Sequence, residues 1–134
     1  MTIHRSLTPP GWPRGKGYSH GVTAEGRMVF VAGQVGWNEK EEIVSTDFVD
    51  QFRQALSNTK AILAEAGAGP EHIVRMTWFI VNKDEYLSRL KDIGLAYREV
   101  MGKNYPAMAV VVINGLIEEG AKLEIETTAV VSKS

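Results

Sequence analysis

Cysteine is absent from the 134 residues of this chain. Its absence excludes disulfides, thiol nucleophiles and thiolate metal sites, and it is consistent with the reducing cytoplasm. Long apolar runs are also missing, since none approaches the roughly 20 residues that a membrane-spanning helix needs. No apolar segment follows the first basic residues in the way that a signal peptide requires. We therefore expect a cytoplasmic protein with no membrane partner.

No charge of one sign predominates in the sequence. The 15 Lys and Arg residues nearly balance the 16 Asp and Glu residues, which leaves a formal net charge of −1. A chain with this balance lacks the strongly basic surface that is typical of nucleic-acid-binding domains. We therefore expect no nucleic-acid partner.

Metal-ligand patterns are scarce as well. His4, His20 and His72 are scattered, without the close spacing that brings two imidazoles to one metal ion. We therefore expect no metal and no cofactor. His20 is the one histidine with a candidate role, because it lies beside Tyr18 at the start of a predicted strand. The alternative for His20 is structural, a hydrogen bond to the backbone.

The spacing of apolar residues predicts a single α+β domain over residues 1–134. Proline and glycine are too dense in residues 1–17 for helix or strand, so this segment is predicted to be an irregular arm. Beyond the arm, the predicted order is β-β-α-β-α-β-β. The elements are two strands with a hairpin at Glu25-Gly26, a helix capped by Ser45 or Thr46, a strand at 72–81, a helix at 84–101, and strands at 106–113 and 121–131.

The predicted strands carry more apolar residues than two helices can cover. Strand–helix–strand links of this length place both helices on one face of a mixed sheet. The strands at 28–32, 73–81 and 106–113 are nevertheless apolar at nearly every position, which predicts burial of both faces. Self-association through the second face follows from this pattern, with a binding site in clefts between subunits.

Two carboxylates alternate with apolar residues on the last strand, so Glu124 and Glu126 are predicted to share one face. One interpretation is a solvated strand face. If another subunit covers that face, one of these groups enters a low-dielectric site. A carboxylate there can act as general acid or base, or orient a water molecule. The strand pattern alone leaves both interpretations open.

Several segments together resemble the Rid family of reactive intermediate deaminases, also called YjgF or L-PSP. The segments are GYSHGV, VFVAGQVG, QFRQALSNTKAILAEAGAG, IVRMTWFIVNKDEY and YPAMAVVVINGLIEEGAKLEIETTAV. They occur in the family's order and cover about residues 14–131. The Ala-Gly-Gln segment, the helix ending in Glu-Ala-Gly and the Leu-Glu-Ile-Glu strand are together specific to this family.

The resemblance implies a chorismate-mutase-like α+β fold and a homotrimer with a barrel-like core and three clefts between subunits. Members of the family typically hydrolyse reactive enamines and imines, such as 2-aminoacrylate and 2-iminopropanoate, to a 2-keto acid and ammonia. In them an Arg binds the substrate carboxylate, a Glu positions water, and a Tyr and backbone groups complete the pocket. By the same resemblance, this chain is expected to bind a small molecule in each cleft.

Matching the family's motifs residue by residue assigns the Tyr to Tyr18 and the water-positioning Glu to Glu124. Met108 stands where the family has its Arg, and Gly94 stands where many members have an Asn. The residues expected to bind substrate are Ala32, Gly33, Gln34, Ala107, Met108 and His20. Cations that might replace the Arg from another direction are Arg14, Lys16 and Arg75.

The substitution at Met108 changes the expected substrate. An Arg offers a carboxylate a fixed charge and a planar fork, whereas a Met offers only dispersion contacts. We therefore expect a Rid-like deaminase whose imine or enamine substrate is larger or more apolar than 2-iminopropanoate. The alternative is a non-catalytic trimer that binds a small metabolite in the same cleft. An endoribonuclease is the third hypothesis, and the net charge of −1 opposes it.

Overall fold

The computed structural model describes residues 3–132 of the chain. Its strands are β1 (Arg5–Leu7), β2 (Gly21–Thr23), β3 (Arg27–Gln34), β4 (Ile73–Ile80), β5 (Ala107–Val112) and β6 (Leu123–Val131). Its α-helices are α1 (Phe48–Glu65), α2 (Lys83–Ser88) and α3 (Leu90–Met101), and a 3₁₀ turn covers Pro70–His72. Strands β3, β6, β4 and β5 lie side by side in that order in one sheet, and β1 pairs with β2.

The four-stranded sheet is mixed. Strand β6 runs antiparallel to both β3 and β4, whereas β4 and β5 run parallel. The β4–β5 connection contains α2 and α3, as a parallel crossover requires. The predicted α+β class and mixed sheet are therefore confirmed. Strand β5 is an edge strand, and Ser19 forms a bridge to its first residue, Ala107.

One face of the sheet packs against the helices, and we call it the covered face. Strand β4 contributes Met76, Trp78 and Ile80 to it, none of them more than 6% exposed. They share one apolar cluster with Phe52 and Leu56 of α1. The alternation on β4 and the helical spacing on α1 therefore have the same cause, which is burial of apolar surface between the two layers.

The other face of the sheet carries the alternate strand residues, and we call it the open face. Phe30 of β3 is 71% exposed and Met28 is 56% exposed. Phe79 and Val111 lie opposite each other on β4 and β5, on the same face. An exposed apolar face of this kind is typical of a surface that another subunit covers.

The helices differ from the sequence prediction at two ends. The cap of α1 is Asp47, whose side chain accepts a hydrogen bond from the Asp50 N–H, rather than Ser45 or Thr46. The predicted helix at 84–101 is two helices, because the backbone leaves helical geometry at Arg89.

Arg89, at this break, forms two ion pairs within the helix layer. Arg89 Nη1 donates to Asp47 Oδ1 at 2.7 Å and its Nε donates to Asp92 Oδ2 at 3.2 Å. The bond from Arg89, together with the Asp50 N–H, lowers the pKa of Asp47. This pair fixes the start of α3 against the start of α1. Each helix within residues 3–132 is too short or too polar to cross a lipid bilayer.

The N-terminal part of the chain corrects two further predictions. The predicted arm at 1–17 contains the strand β1, which pairs with β2. Residues 1 and 2 of the predicted arm lie outside the described residues. Because β2 pairs with β1 and β3 pairs with β6, Glu25-Gly26 is not the tip of a hairpin. Gly26 instead allows a close approach to β6, since a Cβ atom there would lie 2.0 Å from the Val131 carbonyl oxygen.

Candidate functional site

A cleft of about 660 Å³ lies between α3 and the covered-face side of β4 and β5. Its floor is formed by Trp78, Met108 and Val110. These three residues share one face because Trp78 pairs in register with Val110, and Met108 is two residues away on β5. Since β5 is the edge strand, Met108 and Val110 are only partly buried. The cleft is therefore the place where the helix layer stops short of the sheet edge.

The walls of the cleft are largely aromatic. Tyr97 of α3 stacks on Tyr105, with ring centroids 5.6 Å apart, and Tyr18 stands beside Tyr105 on the same side. The Tyr97 hydroxyl donates to the Asn104 carbonyl oxygen. Burial, with a smaller contribution from Tyr105, raises the pKa of Tyr97 well above its usual range. Tyr97 is therefore a neutral hydrogen-bond donor and not a base.

The charge on the cleft has one sign. Lys16, Lys91 and Arg98 contribute to its lining, and none of the lining residues that the structure describes is Asp or Glu. The Nε1–H of Trp78, which is 6% exposed, has no acceptor among residues 3–132. The cleft thus combines an apolar floor with a cationic rim. The rim cations can bind an anion, but none of the described lining residues supplies a carboxylate or an imidazole that could act as a general base.

The structure brings together two of the residues that the resemblance assigned, Tyr18 and Met108. It separates them from Glu124. Met108 pairs with Met76 on the covered face, whereas Glu124 pairs with Phe79 on the open face. Within one chain the two residues therefore lie on opposite faces of the same sheet.

Glu124 lies close to a second group of assigned residues. A Cβ atom added to Gly33 would be 2.6 Å from the Glu124 carboxyl carbon, so the glycine leaves room for this side chain. Ala32 precedes Gly33 on β3 and is exposed, and the Gln34 amide donates to the Ala32 carbonyl oxygen at 3.1 Å. Glu124 and the Ala-Gly-Gln segment thus form a carboxylate site at the end of the open face.

Ala107 and His20 belong to neither group. Ala107 pairs with Arg75 on β4 and so lies on the open face, four residues along from the Phe79 level of Glu124. His20 makes edge-to-face contacts with Trp12 and Tyr18, and its Nε2 lies 2.9 Å from the Pro13 carbonyl oxygen. His20 therefore supports Tyr18 from behind the cleft.

The three cations considered as replacements for the missing Arg fall in three different places. Lys16 lines the cleft. Arg14 lines a neighbouring cavity of about 500 Å³, which shares Tyr18 and Tyr105 with the cleft and also includes Lys103. Arg75 lies on the open face, with Phe30 and Glu126 nearby. Of these three cations, only Lys16 therefore lines the cleft that contains Met108.

Sequence reasoning did not identify Lys91, Arg98 or Trp78 as site residues. The signal for the first two is present, because Lys91, Gly94 and Arg98 recur at intervals of three and four residues along a predicted helix. The signal for Trp78 is not, because an apolar residue in a strand gives no indication of a neighbouring gap. Residues 3–132 contain no group of three His, Asp or Glu side chains able to hold a metal ion.

A family profile described as Endoribonuclease L-PSP matches residues 13–131. A RutC family protein of Pyrococcus horikoshii is 33% identical over 113 residues, which cover 84% of this chain and 85% of that protein. The 2-iminobutanoate/2-iminopropanoate deaminase of Dermatophagoides farinae is 29% identical over 133 residues, or 98% of this chain and 99% of that protein.

Solved structures agree with these sequence matches. The Rid family protein YyfB from Yersinia pestis, of unknown function, superposes with a TM-score of 0.85 and 31% identity, covering 96% of this chain and 98% of that one. Escherichia coli TdcF with bound serine superposes with a TM-score of 0.68 and 32% identity, covering 96% of this chain and 99% of that one.

Proposed function

This chain belongs to the Rid family, also called YjgF or L-PSP, and from that premise we propose that it is a cytoplasmic deaminase of a reactive imine or enamine more apolar than 2-iminopropanoate. Deaminase function is supported at the level of the family, by relatives that carry that name. The observation that supports the narrower substrate is Met108, which forms the floor of the cleft together with Trp78 and Val110.

The chemistry at the floor supports the proposed change of substrate. A small 2-imino acid offers little apolar surface, so it depends on a charged partner for its carboxylate. The Met108 thioether supplies dispersion contacts and no charge. A substrate with a larger apolar body gains from this floor, whereas 2-iminopropanoate loses its anchor.

The hydrolysis needs a carboxylate, and the proposal assigns this role to Glu124. Glu124 would orient a water molecule and take its proton as the water oxygen attacks the C=N carbon. This proton passes to the nitrogen and gives a carbinolamine. Transfer of the carbinolamine hydroxyl proton to the nitrogen, again by way of Glu124, then breaks the C–N bond, so that ammonia leaves as the C=O bond forms. Because Glu124 and Met108 lie on opposite faces of one chain, the proposal requires that Glu124 of one subunit serve the cleft of its neighbour.

Assembly is therefore part of the same proposal. The exposed apolar side chains of the open face, with Phe30 and Met28 the most exposed, favour association through that face. The number of subunits, three, follows from the resemblance to the family. In this assembly the Ala32–Gly33 segment would lie at the interface beside Glu124, and Tyr18 would lie with Met108 on the other side of the cleft.

The test is ammonia release from imines that an amino-acid oxidase generates in the same tube. We expect Glu124→Ala to lower the rate by about 100-fold or more, while Glu126→Ala, the matched control two residues along the same strand face, stays close to the unmodified protein. Met108→Arg is expected to gain activity on 2-iminopropanoate. No ammonia release by any of these proteins, from apolar or small imines, would contradict the proposal.

A second candidate function, a binder without catalysis, is favoured by one observation. No Asp or Glu side chain lines the cleft among the residues described. Ligand binding in the cleft without ammonia release from any imine would support this candidate. An endoribonuclease remains the weakest hypothesis at a net charge of −1, and it predicts salt-dependent RNA binding, which a filter-binding assay measures directly.

A further inference from the structure

The rim of the cleft contains a cationic stripe on α3, formed by Lys91, Gly94 and Arg98. Their spacing of three and then four residues puts all three on one side of the helix. The two cations are separated by seven residues, or about 10 Å along the helix axis. Both side chains line the cleft, and neither forms an ion pair within 4.0 Å with any residue from 3 to 132.

Other arginines in the helix layer behave differently. Arg89 pairs with Asp47 and Asp92, and Arg53 pairs with Asp50 and Glu99. Carboxylates are therefore available in this layer, yet they are absent from the lining of the cleft. The charge at Lys91 and Arg98 is therefore uncompensated by any carboxylate among the described residues that line the cleft.

Gly94 leaves a gap between these two cations. A Cβ atom at this position would meet no atom of another element within 4 Å, and the residue is exposed. Neither a positive φ nor close packing calls for glycine here, although glycine weakens the interior of a helix. Because Gly94 also lines the cleft, the missing side chain leaves free space at the rim.

The floor beneath the gap favours a flat apolar body. Met108 and Val110 offer aliphatic and thioether contacts, and the indole of Trp78 lies beside them with an Nε1–H that has no acceptor among the residues described. Apolar contact at the floor and positive charge at the rim together define an amphipathic anion.

We propose that the cleft binds an amphipathic anion whose flat apolar body passes the gap at Gly94 onto Met108 and Val110, and whose acid group is held by Lys91 and Arg98. The acid group thus binds on α3 and not at the floor. Such an anion is the substrate or product class of the proposed deaminase, so the identity of the ligand as a substrate rests on the proposed function. The binding itself does not.

The experiment compares three probes by isothermal titration calorimetry: 3-phenylpropanoate, its neutral amide 3-phenylpropanamide, and acetate. We expect the acid to bind about tenfold more tightly than the amide, because two cations face its carboxylate. Raising the salt concentration from 20 to 300 mM should remove most of this advantage, since the cations are exposed. Acetate, which has no apolar body, should show no binding.

Two variants separate charge from space. The double variant Lys91→Gln/Arg98→Gln should bind acid and amide equally, while Lys60→Gln/Arg5→Gln, which removes the same charge elsewhere on the surface, should keep the tenfold difference. Gly94→Leu should weaken both probes alike, with unchanged circular dichroism as the check on folding.

Each outcome bears on one proposal only. Equal binding of acid and amide to the unmodified protein, absence of binding by either, or retained discrimination in Lys91→Gln/Arg98→Gln overturns this inference. Preferential binding of the acid without ammonia release from any imine overturns the deaminase proposal and leaves the anion site standing. Ammonia release together with equal binding of acid and amide overturns the anion site and leaves the deaminase proposal standing.

Discussion

The covered and open faces of the sheet are built from the same strands, but helices of the same chain bury only the covered face. On β4, the residues Met76, Trp78 and Ile80 are sealed by helices, while Thr77 and Phe79 between them stay partly exposed. Four of these five side chains are apolar. The difference shows that one chain covers only one face of these strands, and cover for the other face belongs to the proposed assembly.

The functional groups divide along the same boundary. The apolar floor and the cationic rim belong to the covered face and its helices, and the carboxylate of Glu124 belongs to the open face. Binding and water activation are thus proposed to lie on different faces of one sheet. Substitutions that act on one face and spare the other can test this division.

The largest expected effect is on the covered face. Ile125 is fully buried, and Ile125→Ala should lower the free energy of unfolding by about 3 to 4 kcal/mol through lost apolar burial and a residual cavity. Urea unfolding followed by circular dichroism measures the change. Thr128→Ala, on the open face of the same strand, is the matched control and should cost less than half as much.

A charged substitution on the open face should weaken the proposed association of subunits. Phe30→Asp replaces an apolar contact by a charge, and we expect it to weaken association by about 2 to 3 kcal/mol per subunit. Size-exclusion chromatography with light scattering should then detect smaller species at micromolar concentration. Leu95→Asp, which adds the same charge at an exposed position on α3, should leave the mass unchanged. An unchanged mass for Phe30→Asp would contradict assembly through the open face.

Alkaline pH should lower the free energy of unfolding through Tyr97 of α3. Its pKa is raised by burial, whereas a tyrosine in the unfolded chain ionises near pH 10. Above about pH 10 the unfolded chain has lost a proton that the native chain keeps, so stability falls as pH rises, by up to about 1.4 kcal/mol per pH unit. Chemical unfolding at pH 8 and pH 10.5 should show a smaller loss for Tyr97→Phe than for the unmodified protein. Equal losses in the two proteins would count against a neutral Tyr97.

The smallest effect concerns the gap in α3. Gly94→Ala should raise the free energy of unfolding by about 0.5 to 1 kcal/mol, because alanine suits an exposed helix interior better than glycine and has free space here. The urea midpoint reports the gain. A loss of stability would mean that another group occupies the space above Gly94.

Sequence reasoning succeeded where one local pattern decides the structure. The β-branched and aromatic run at 73–80 formed a central strand, and the stripe from Phe48 to Leu63 formed α1. It failed where a distant partner decides. The turn at Glu25-Gly26 has hairpin chemistry, yet the pairing of β3 with β6 removes the hairpin. The second helix also breaks at Arg89, whose side chain pairs with Asp47, 42 residues away.

The candidate site shows the same limit. The resemblance identified Met108, Tyr18 and Glu124 as residues of one cleft, and two of them do line it. That Glu124 lies on the other face follows only from strand register, Phe79 with Glu124 and Met76 with Met108. A slip of one residue would exchange the faces, and single-sequence patterns do not fix register to that accuracy.

The bridge at Ser19 brings protection of an edge strand and the wall of the cleft into one short segment. An uncovered edge strand invites pairing with other chains and so promotes aggregation. The Ser19 N–H donates to the Pro106 carbonyl oxygen and protects the start of β5, while the preceding residue, Tyr18, forms a wall of the cleft. Because Tyr18 and Ser19 are consecutive residues, a backbone shift in this segment would move the wall of the cleft and the protection of the strand edge together.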